Sequence, residues 1–301
     1  HADAIRALYE WLGVASEPRS SAIVTRIRLL TSTPPDNESV EKIQRILAFF
    51  SSKWIYWDEP KRQEFSVLKR IAWLPGNKKK DVWCVPDGVY SIFQSFLFES
   101  QGNFLLLDKQ AQQRANDFIK FLGIPTEPAA ELVVKHLLDL SKRGVAANPE
   151  IYTFLSRKAV EPCISQLSEK PCLFLRFESG DERYFRPDQV FWEQHPFGKF
   201  RFRLGPEFGK FKPLYDRLHV KSKPDAYDAI KVLSEISDSK QAQSNIQIEP
   251  NSELVQIIMA TWKLLGESLD KSEIKPTFLR KELGARKTIL NPGTKLLDKA
   301  E

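Results

Sequence analysis

A seven-residue phrase occurs twice in this chain and constrains the fold more than any other feature. The copies read LGVASEP at residues 12–18 and LGIPTEP at residues 122–128. In each copy a glycine follows one apolar helical pattern and a proline precedes the next, which is typical of two helices joined by a short turn. A degraded copy begins at Leu218, where His219 replaces the glycine and Lys223 replaces the glutamate. The sequence therefore predicts a repeated helix-turn-helix.

The segments that follow each phrase also correspond. Apolar residues at helical spacing predict second helices over residues 39–50, 149–155 and 253–265. Aromatic and aliphatic runs around a polar turn that contains glycine predict β-hairpins over residues 71–90, 172–191 and 286–301. The first two hairpins close on Pro-Asp-x-Val-aromatic. This proline should end the strand, because it has no N–H to donate to a ladder.

The repeat determines the predicted architecture. We expect an α+β fold made of tandem repeats of a helix-turn-helix plus a β-hairpin, arranged as an elongated body. The predicted units are residues 1–108, 109–213 and 214–301, the last of them truncated. Because His1 stands in place of an initiator methionine and the third hairpin lacks the closing motif, we expect a fragment of a larger protein.

The composition is that of a globular protein in a reducing compartment. Hydrophobic residues make up 42% of the chain and its formal net charge is +6, which permits an anionic partner without requiring one. The three cysteines, Cys84, Cys163 and Cys172, form no Cys-x-x-Cys pair, which disfavours a disulfide framework and a zinc site. No signal peptide and no apolar run of membrane-spanning length occurs, so we expect a cytoplasmic chain without membrane contact.

The sequence contains no recognisable catalytic or cofactor motif. Neither a glycine-rich phosphate loop nor a Gly-x-Ser-x-Gly elbow occurs. His136 lies in an apolar helical pattern, His195 precedes a proline in a loop, and His219 occupies the helix-cap position. Helix starts and turns explain the recurrent carboxylates, which are Glu17, Glu127, Asp87 and Asp188. We therefore expect no catalytic residue, cofactor or metal, and an enzyme site formed between units remains an alternative.

One segment, residues 195–218, interleaves cations with aromatic residues. On a strand, three of the cations would share one face and two phenylalanines the other. A basic face near aromatic rings suits a phosphate backbone and stacked bases. It also suits the solvated face of a half-buried strand, or a surface for an acidic protein. The candidate residues for binding an anionic partner are Lys199, Arg201, Arg203, Lys210 and Lys212.

An aromatic cluster lies in the first predicted unit, within the stretch SSKWIYWDEP. It contains Trp54, Tyr56 and Trp57. Tryptophan and tyrosine often anchor protein interfaces. We expect at least two of these three side chains to pack in the core instead.

Two segments carry a resemblance to a known family, and they read LGIPTEPAAELVVKHLLDL and PDQVFWEQHPFGKFRFRLGPEFGKFKPLYDRLHV. They are similar to segments of large bacterial proteins that resemble sacsin and plant NO VEIN. The resemblance implies a long body of α+β repeats downstream of an Hsp90-like ATPase domain, acting as a chaperone-like or ATP-switched scaffold. It also implies a role in bacterial defence against foreign DNA. The Asp-x-Gly-x-Gly nucleotide motif of that ATPase is absent from this sequence, so the ATP site does not carry over.

The repeat, the absence of a catalytic motif and the resemblance together predict a non-catalytic scaffold or client-binding region. The expected partners are protein clients or neighbouring domains of a parent chain. The alternative is a nucleic-acid-binding module that uses the basic and aromatic residues of segment 195–212.

Overall fold

A computed structural model describes residues 18–177, 180–239, 252–284, 289–290 and 296–297. The chain is rich in helix with a small amount of strand, which agrees with the α+β class. It divides into two compact units, residues 1–136 and 137–301. This division coincides with neither of the boundaries expected from the repeat. The three tandem units and the elongated body remain predictions.

The first unit combines helices with isolated β-bridges. Its helices are α1 (Ser20–Leu30), α2 (Asn37–Lys53), α3 (Glu59–Gln63), α4 (Lys109–Arg114) and α5 (Asn116–Leu122), and α6 (Ala130–Arg143) begins within it. An antiparallel bridge joins Leu74 to Cys84, and a parallel bridge joins Tyr90 to Phe104. A 3₁₀ turn, Pro86–Gly88, lies between the two bridges in sequence.

Helix α2 organises the core of the first unit. The Asp36 carboxylate caps it by accepting a hydrogen bond from the Ser39 N–H at 2.7 Å. Buried side chains follow at helical spacing, and they are Ile43, Leu47 and Phe50. The ring of Phe50 stacks on Phe118 of α5 with 4.2 Å between centroids. The apolar face of α2 is therefore held against α5.

The aromatic cluster that follows α2 belongs largely to this core. Trp54 is 3% exposed, and Trp57 is partly buried against the core residues. Tyr56 is 77% exposed. The prediction that at least two of the three side chains pack in the core is confirmed.

The second unit contains the remaining elements. Its helices are α7 (Pro149–Arg157), α8 (Lys212–Arg217), α9 (Ala226–Asp238), α10 (Glu253–Asp270) and α11 (Pro276–Leu283). Its strands are β1 (Leu173–Arg176), β2 (Glu182–Phe185), β3 (Val190–Phe191), β4 (Phe202–Arg203), β5 (Ile289–Leu290) and β6 (Leu296–Leu297). The pairs β1–β2 and β5–β6 are antiparallel, and β3–β4 is parallel with Val190 opposite Phe202.

Helices α9 and α10 carry the core of the second unit. Asp225 caps α9 by accepting hydrogen bonds from the N–H groups of Tyr227 at 2.9 Å and Asp228 at 3.1 Å. Buried residues of both helices form one cluster, which includes Val232, Leu233, Ile236, Ile257, Ile258 and Leu265. Phe191 of β3 and Phe197 belong to the same cluster. This core therefore anchors the chain that runs from β3 towards β4.

All three cysteines are free thiols. Cys84, Cys163 and Cys172 are buried, with exposures of 6%, 5% and 0%. Burial raises the pKa of the Cys172 thiol. The thiolate of this residue is therefore disfavoured at neutral pH.

The helices predicted from the repeated phrases are confirmed wherever the structure describes those residues. Helices α1, α6 and α9 each begin two residues after a proline of the repeated phrase, at Pro18, Pro128 and Pro224. The second helices predicted over residues 39–50, 149–155 and 253–265 lie within α2, α7 and α10. The helix predicted before Gly13 lies outside the described residues.

The three predicted hairpins have different outcomes. Strands β1 and β2 confirm the hairpin over residues 172–191. Strands β5 and β6 pair within residues 286–301, and their connecting turn lies outside the described residues. Of the hairpin predicted over residues 71–90, only the bridge between Leu74 and Cys84 forms, and the rest of this prediction is wrong. The backbone at Gly76 pairs with Leu105 instead of with the returning chain.

The cap position of the repeated phrase keeps its backbone conformation when glycine is replaced. Gly123 has φ of 79°, and His219 has φ of 60°. The Ile124 N–H donates to the Ile119 carbonyl at 3.2 Å, and the Val220 N–H donates to the Tyr215 carbonyl at 3.0 Å. Both bonds have the spacing of a Schellman cap. The sequence prediction that His219 occupies a cap position is confirmed.

We expect His219→Gly to stabilise the chain by up to about 1 kcal/mol, because it removes the cost of a left-handed conformation from a residue with a Cβ. The matched change Gly123→Ala should destabilise it by about 1 kcal/mol, since the added Cβ meets nothing within 4 Å and only backbone strain remains. Urea unfolding of both variants measures these changes. Equal effects of the same sign would contradict the assignment of strain to His219.

Candidate functional site

A cleft of about 960 Å³ opens in the second unit beside the β1–β2 hairpin and β4. Its apolar wall is formed by Phe177, Phe202, Leu204 and Pro206. Charged side chains form the rest of the wall, and they are Arg176, Asp181, Glu182, Arg183, Lys199, Arg201, Arg203, Glu207 and Glu253. His195 also lines the cleft. An apolar wall with several polar groups is typical of a ligand-binding cleft.

Aromatic contacts join the two sides of this cleft. Phe202 of β4 lies 5.2 Å from Phe177 and 5.5 Å from Phe185 between ring centroids. The Leu204 N–H donates to the Phe191 carbonyl at 2.8 Å, which continues the parallel pairing of β3 with β4. Ring packing therefore holds the hairpin against β4, and a short ladder holds β4 against β3.

The prediction of one alternating basic strand is wrong. Gly198–Phe200 is a 3₁₀ turn, β4 comprises only Phe202–Arg203, and Pro206–Phe211 is a second 3₁₀ turn. Gly198 has φ of 46°, which interrupts an extended backbone. Proline at position 206 fixes φ and starts the next turn.

Arg201 lies inside the unit and not on the expected cationic face. Its side chain is 1% exposed. The guanidinium donates to both carboxylate oxygens of Glu235 on α9, at 2.7 and 3.0 Å, and to the Phe200 carbonyl at 2.8 Å. Burial of a charge requires such compensation, so Arg201 has a structural role here. This burial and pairing count against Arg201 as a binding residue for an anionic partner.

The structure brings together only some of the predicted cations. Lys199 and Arg203 are exposed and line the cleft with the buried Arg201. Lys210 lies outside the cleft lining, with its ammonium 4.9 Å from the Phe211 ring centroid. Lys212 also lies outside it and forms an ion pair with Asp216 at 2.7 Å.

Sequence reasoning missed two arginines of the hairpin that line the same cleft. Arg176 pairs with Glu182 across β1 and β2. Arg183 donates to the Lys199 carbonyl, and its guanidinium lies 4.7 Å from the ring centroid of Phe185. The sequence did offer one indication of their role, because both arginines lie on a predicted hairpin that directly precedes the basic segment.

Burial acts on the charge states of two cleft residues. It lowers the pKa of Arg183, while Asp181 and Glu235 act in the opposite direction. It also lowers the pKa of His195 to about 4, assisted by the positive charges of Arg201 and Arg203. His195 is therefore neutral at pH 7. Its Nδ1 accepts a hydrogen bond from the Phe197 N–H at 3.3 Å.

The other two histidines among the described residues, His136 and His219, have local structural roles. His136 is 5% exposed, and its Nδ1 lies 2.7 Å from the Ser100 hydroxyl oxygen. Its burial agrees with the apolar helical pattern in which the sequence places it. His219 occupies the cap described above.

The cleft offers binding groups but little apparatus for nucleophilic catalysis. Its lining combines five Lys or Arg side chains with four carboxylates, and none of its described lining residues is Ser, Thr, Cys or Tyr. Across the described residues, no group of three or more His, Cys, Asp or Glu side chains is arranged to hold a metal ion. Within the same residues, no helix combines the length and the hydropathy needed to cross a membrane.

No protein-family model, curated protein or solved structure matches the chain. The resemblance to sacsin-like proteins therefore remains an expectation from the sequence. Inference about function therefore rests on the geometry of the cleft and on the charges around it.

We expect Glu235→Gln to destabilise the chain by about 2 kcal/mol, below the range for a fully buried pair because Glu235 is 37% exposed. The change leaves a buried guanidinium without a counter-ion. The control Asp216→Asn disrupts the exposed Lys212–Asp216 pair and should cost no more than about 0.5 kcal/mol. Urea unfolding measures both, and equal losses would contradict the structural role of Arg201.

We expect His195 to make the chain less stable as the pH falls from 6.5 towards 4. In this window the unfolded state binds a proton at the ordinary pKa of 6.5, whereas the folded state, with a pKa of about 4, does not. The contribution of His195 to the free energy of unfolding is fully present above pH 6.5 and is lost as the pH falls towards 4. His195→Gln should therefore lose less stability than the parent chain between pH 7 and 4.5, measured by urea unfolding. Parallel pH curves would show that His195 titrates normally.

Proposed function

We propose that this chain is a non-catalytic binding region, and that the cleft of the second unit binds a segment of a protein partner. The observation that carries the proposal is the combination of an apolar wall with exposed charges of both signs. Phe177 and Pro206 offer apolar contact, and Lys199, Arg203 and Glu253 offer charge at the same cleft. Polypeptide segments bind through apolar side chains in pockets and polar groups around them.

The charges of the cleft favour a protein over a nucleic acid. A nucleic-acid strand carries one phosphate about every 3.4 Å, so each carboxylate in a binding groove opposes it. Four carboxylates line this cleft, among them Glu207 and Glu253. The cation at the centre of the predicted basic strand, Arg201, is neutralised by Glu235. The continuous basic face that a nucleic-acid module needs is therefore interrupted.

The lining of the cleft also favours binding over catalysis. Lys199 is the only lining residue in the described part of the chain with an amine side chain, and the lining offers no hydroxyl or thiol. His195 is neutral at pH 7, and burial restricts access to its ring. Acyl-transfer and similar chemistry needs a nucleophile and a base within hydrogen-bond reach.

The resemblance to the repeat region of sacsin-like proteins supports the same proposal. The partner would then be a client protein or a neighbouring domain of a parent chain. A chaperone-like, ATP-switched parent in the cytoplasm of a bacterium is part of this proposal.

The test is selection of peptides from a random-sequence display library against the chain. We expect selected peptides to protect residues 181–183 and 201–207 from hydrogen exchange, because these segments line the cleft. Lys199→Glu/Arg203→Glu should weaken the binding of these peptides at least about tenfold, since charged contacts in a cleft contribute about 1.5–3 kcal/mol.

The control is Lys223→Glu/Lys271→Glu, which makes the same charge change at two exposed positions outside the cleft lining. It should leave peptide binding within about twofold. Labelled DNA and RNA strands are titrated in parallel across a salt series. Tight, steeply salt-dependent oligonucleotide binding that Lys199→Glu/Arg203→Glu removes would overturn the protein-binding proposal in favour of a nucleic-acid module. Failure to select any peptide would overturn it as well.

A further inference from the structure

We propose that Arg183 and Arg203 together bind a single carboxylate of the partner segment, beside an apolar side chain seated on Phe177. This inference rests on the proposed function, since it names the chemistry that the cleft of the second unit recognises. It concerns two guanidinium groups from different strands, β2 and β4, that line one cleft.

Neutral partners orient Arg183. Its guanidinium donates to the Lys199 carbonyl and lies over the rings of Phe185 and Phe177, at 4.7 and 5.4 Å from the centroids. Within the described residues, no carboxylate oxygen lies within 4.0 Å of this guanidinium. The group is thus held in place while most of its N–H donors remain available to a ligand, and the charges of Asp181 and Glu235 act on it only from beyond ion-pair distance.

A neutral partner also orients Arg203. Its guanidinium donates to the amide oxygen of Gln194 at 2.7 Å. In the described part of the chain it has no carboxylate within 4.0 Å either. An amide fixes the direction of the guanidinium without neutralising it, which is the arrangement that binding of an external anion requires.

The remaining arginines of the cleft are different. Arg201 is neutralised by Glu235, and Arg176 is neutralised by Glu182. Arginines that serve the fold are therefore paired with carboxylates here. Arg183 and Arg203 lack such pairing, although acidic residues line the same cleft.

The first unit contains a cleft with a corresponding backbone framework and without cations. The Leu105 N–H donates to the Tyr90 carbonyl at 3.0 Å, as Leu204 does to Phe191 in the second unit. Phe104 therefore corresponds to Arg203. The cleft beside it has a volume of about 320 Å³ and contains the carboxylates of Glu99 and Asp108 but no Lys or Arg among its described lining residues.

This difference indicates that the cations of the second cleft are not a requirement of the shared framework. The carboxylates that line the same cleft favour a partner segment with a single negative charge over one with many. Glu207 and Glu253 line the cleft and would repel a run of acidic residues. The ligand is therefore an isolated Glu or Asp next to an aromatic or aliphatic residue, and not a polyanion.

The experiment uses a fluorescein-labelled Gly/Ser peptide with one central Glu-Phe pair, and the same peptide with Gln-Phe, Glu-Ala or a run of Glu. Fluorescence anisotropy against the whole chain measures each affinity. We expect Glu-Phe to bind about tenfold more tightly than Gln-Phe, since a carboxylate on two guanidinium groups is worth about 1.5–3 kcal/mol. Glu-Ala and the Glu run should bind more weakly than Glu-Phe.

The variants Arg183→Gln and Arg203→Gln should each weaken Glu-Phe binding about tenfold and leave Gln-Phe binding unchanged. Arg203→Lys should weaken it less than Arg203→Gln, because it keeps the charge without the planar fork. A general loss of structure would weaken both peptides equally and would count against the proposal. Lys223→Gln, outside the cleft, is the control and should leave both affinities unchanged.

Two outcomes separate this inference from the proposed function. If library selection yields peptides that protect the cleft but carry no acidic residue, the cleft binds protein segments and the carboxylate inference is overturned. If Gln-Phe binds as tightly as Glu-Phe, or if a single-stranded oligonucleotide binds more tightly than either, the inference is overturned too. If no peptide binds at all, both the inference and the proposed function are overturned.

Discussion

The buried ion pair between Arg201 and Glu235 is the interaction on which the second unit depends. It joins the chain before β4 to α9, and it does so where a charge would otherwise lie uncompensated in the protein interior. Because alternate residues of an extended chain share a side, Arg201 and Arg203 both line the cleft. Glu235 neutralises Arg201 alone, so Arg203 is the exposed arginine of the segment that no carboxylate of the described residues pairs.

A second constraint comes from ring packing. Phe202 contacts Phe177 and Phe185 of the hairpin, so the hairpin cannot move without disturbing β4. Rigid supports of this kind reduce the conformational entropy that a binding residue loses when its ligand arrives. The guanidinium of Arg183 lies on the same rings, which couples its position to the packing beneath the cleft.

Local signals predicted much of the helical structure, for particular physical reasons. Proline has no N–H and a fixed φ, so Pro18, Pro128 and Pro224 indicated helix starts that the structure contains. A position that favours a left-handed backbone was recognised at residue 219 although histidine occupies it. The hairpin of β1 and β2 followed from its turn and its aromatic strands. These features depend on few residues that are close in sequence.

The candidate site was less predictable because it depends on contacts between distant residues. Alternation of cations and aromatics suggested a strand with its cations on one shared face, but Arg201 is buried and paired with Glu235, which lies 34 residues further along the chain. The positive φ of Gly198 breaks the strand, and the sequence alone does not reveal it. Likewise, the backbone of Gly76 pairs with Leu105 and not with the returning strand of the predicted hairpin. The residues of the turn itself do not indicate this distant partner. Arg183 lies at the cleft because its hairpin packs against β4, a contact that local sequence does not predict.

The burial of all three cysteines has a practical consequence for chemical labelling. Cys84, Cys163 and Cys172 are each at most 6% exposed, and thiol-directed reagents react with accessible thiolates. A cysteine introduced at an exposed position would react far faster than the native thiols. Spin labels and fluorophores can therefore be attached at single sites around the cleft while the native cysteines, and the packing they contribute, are retained.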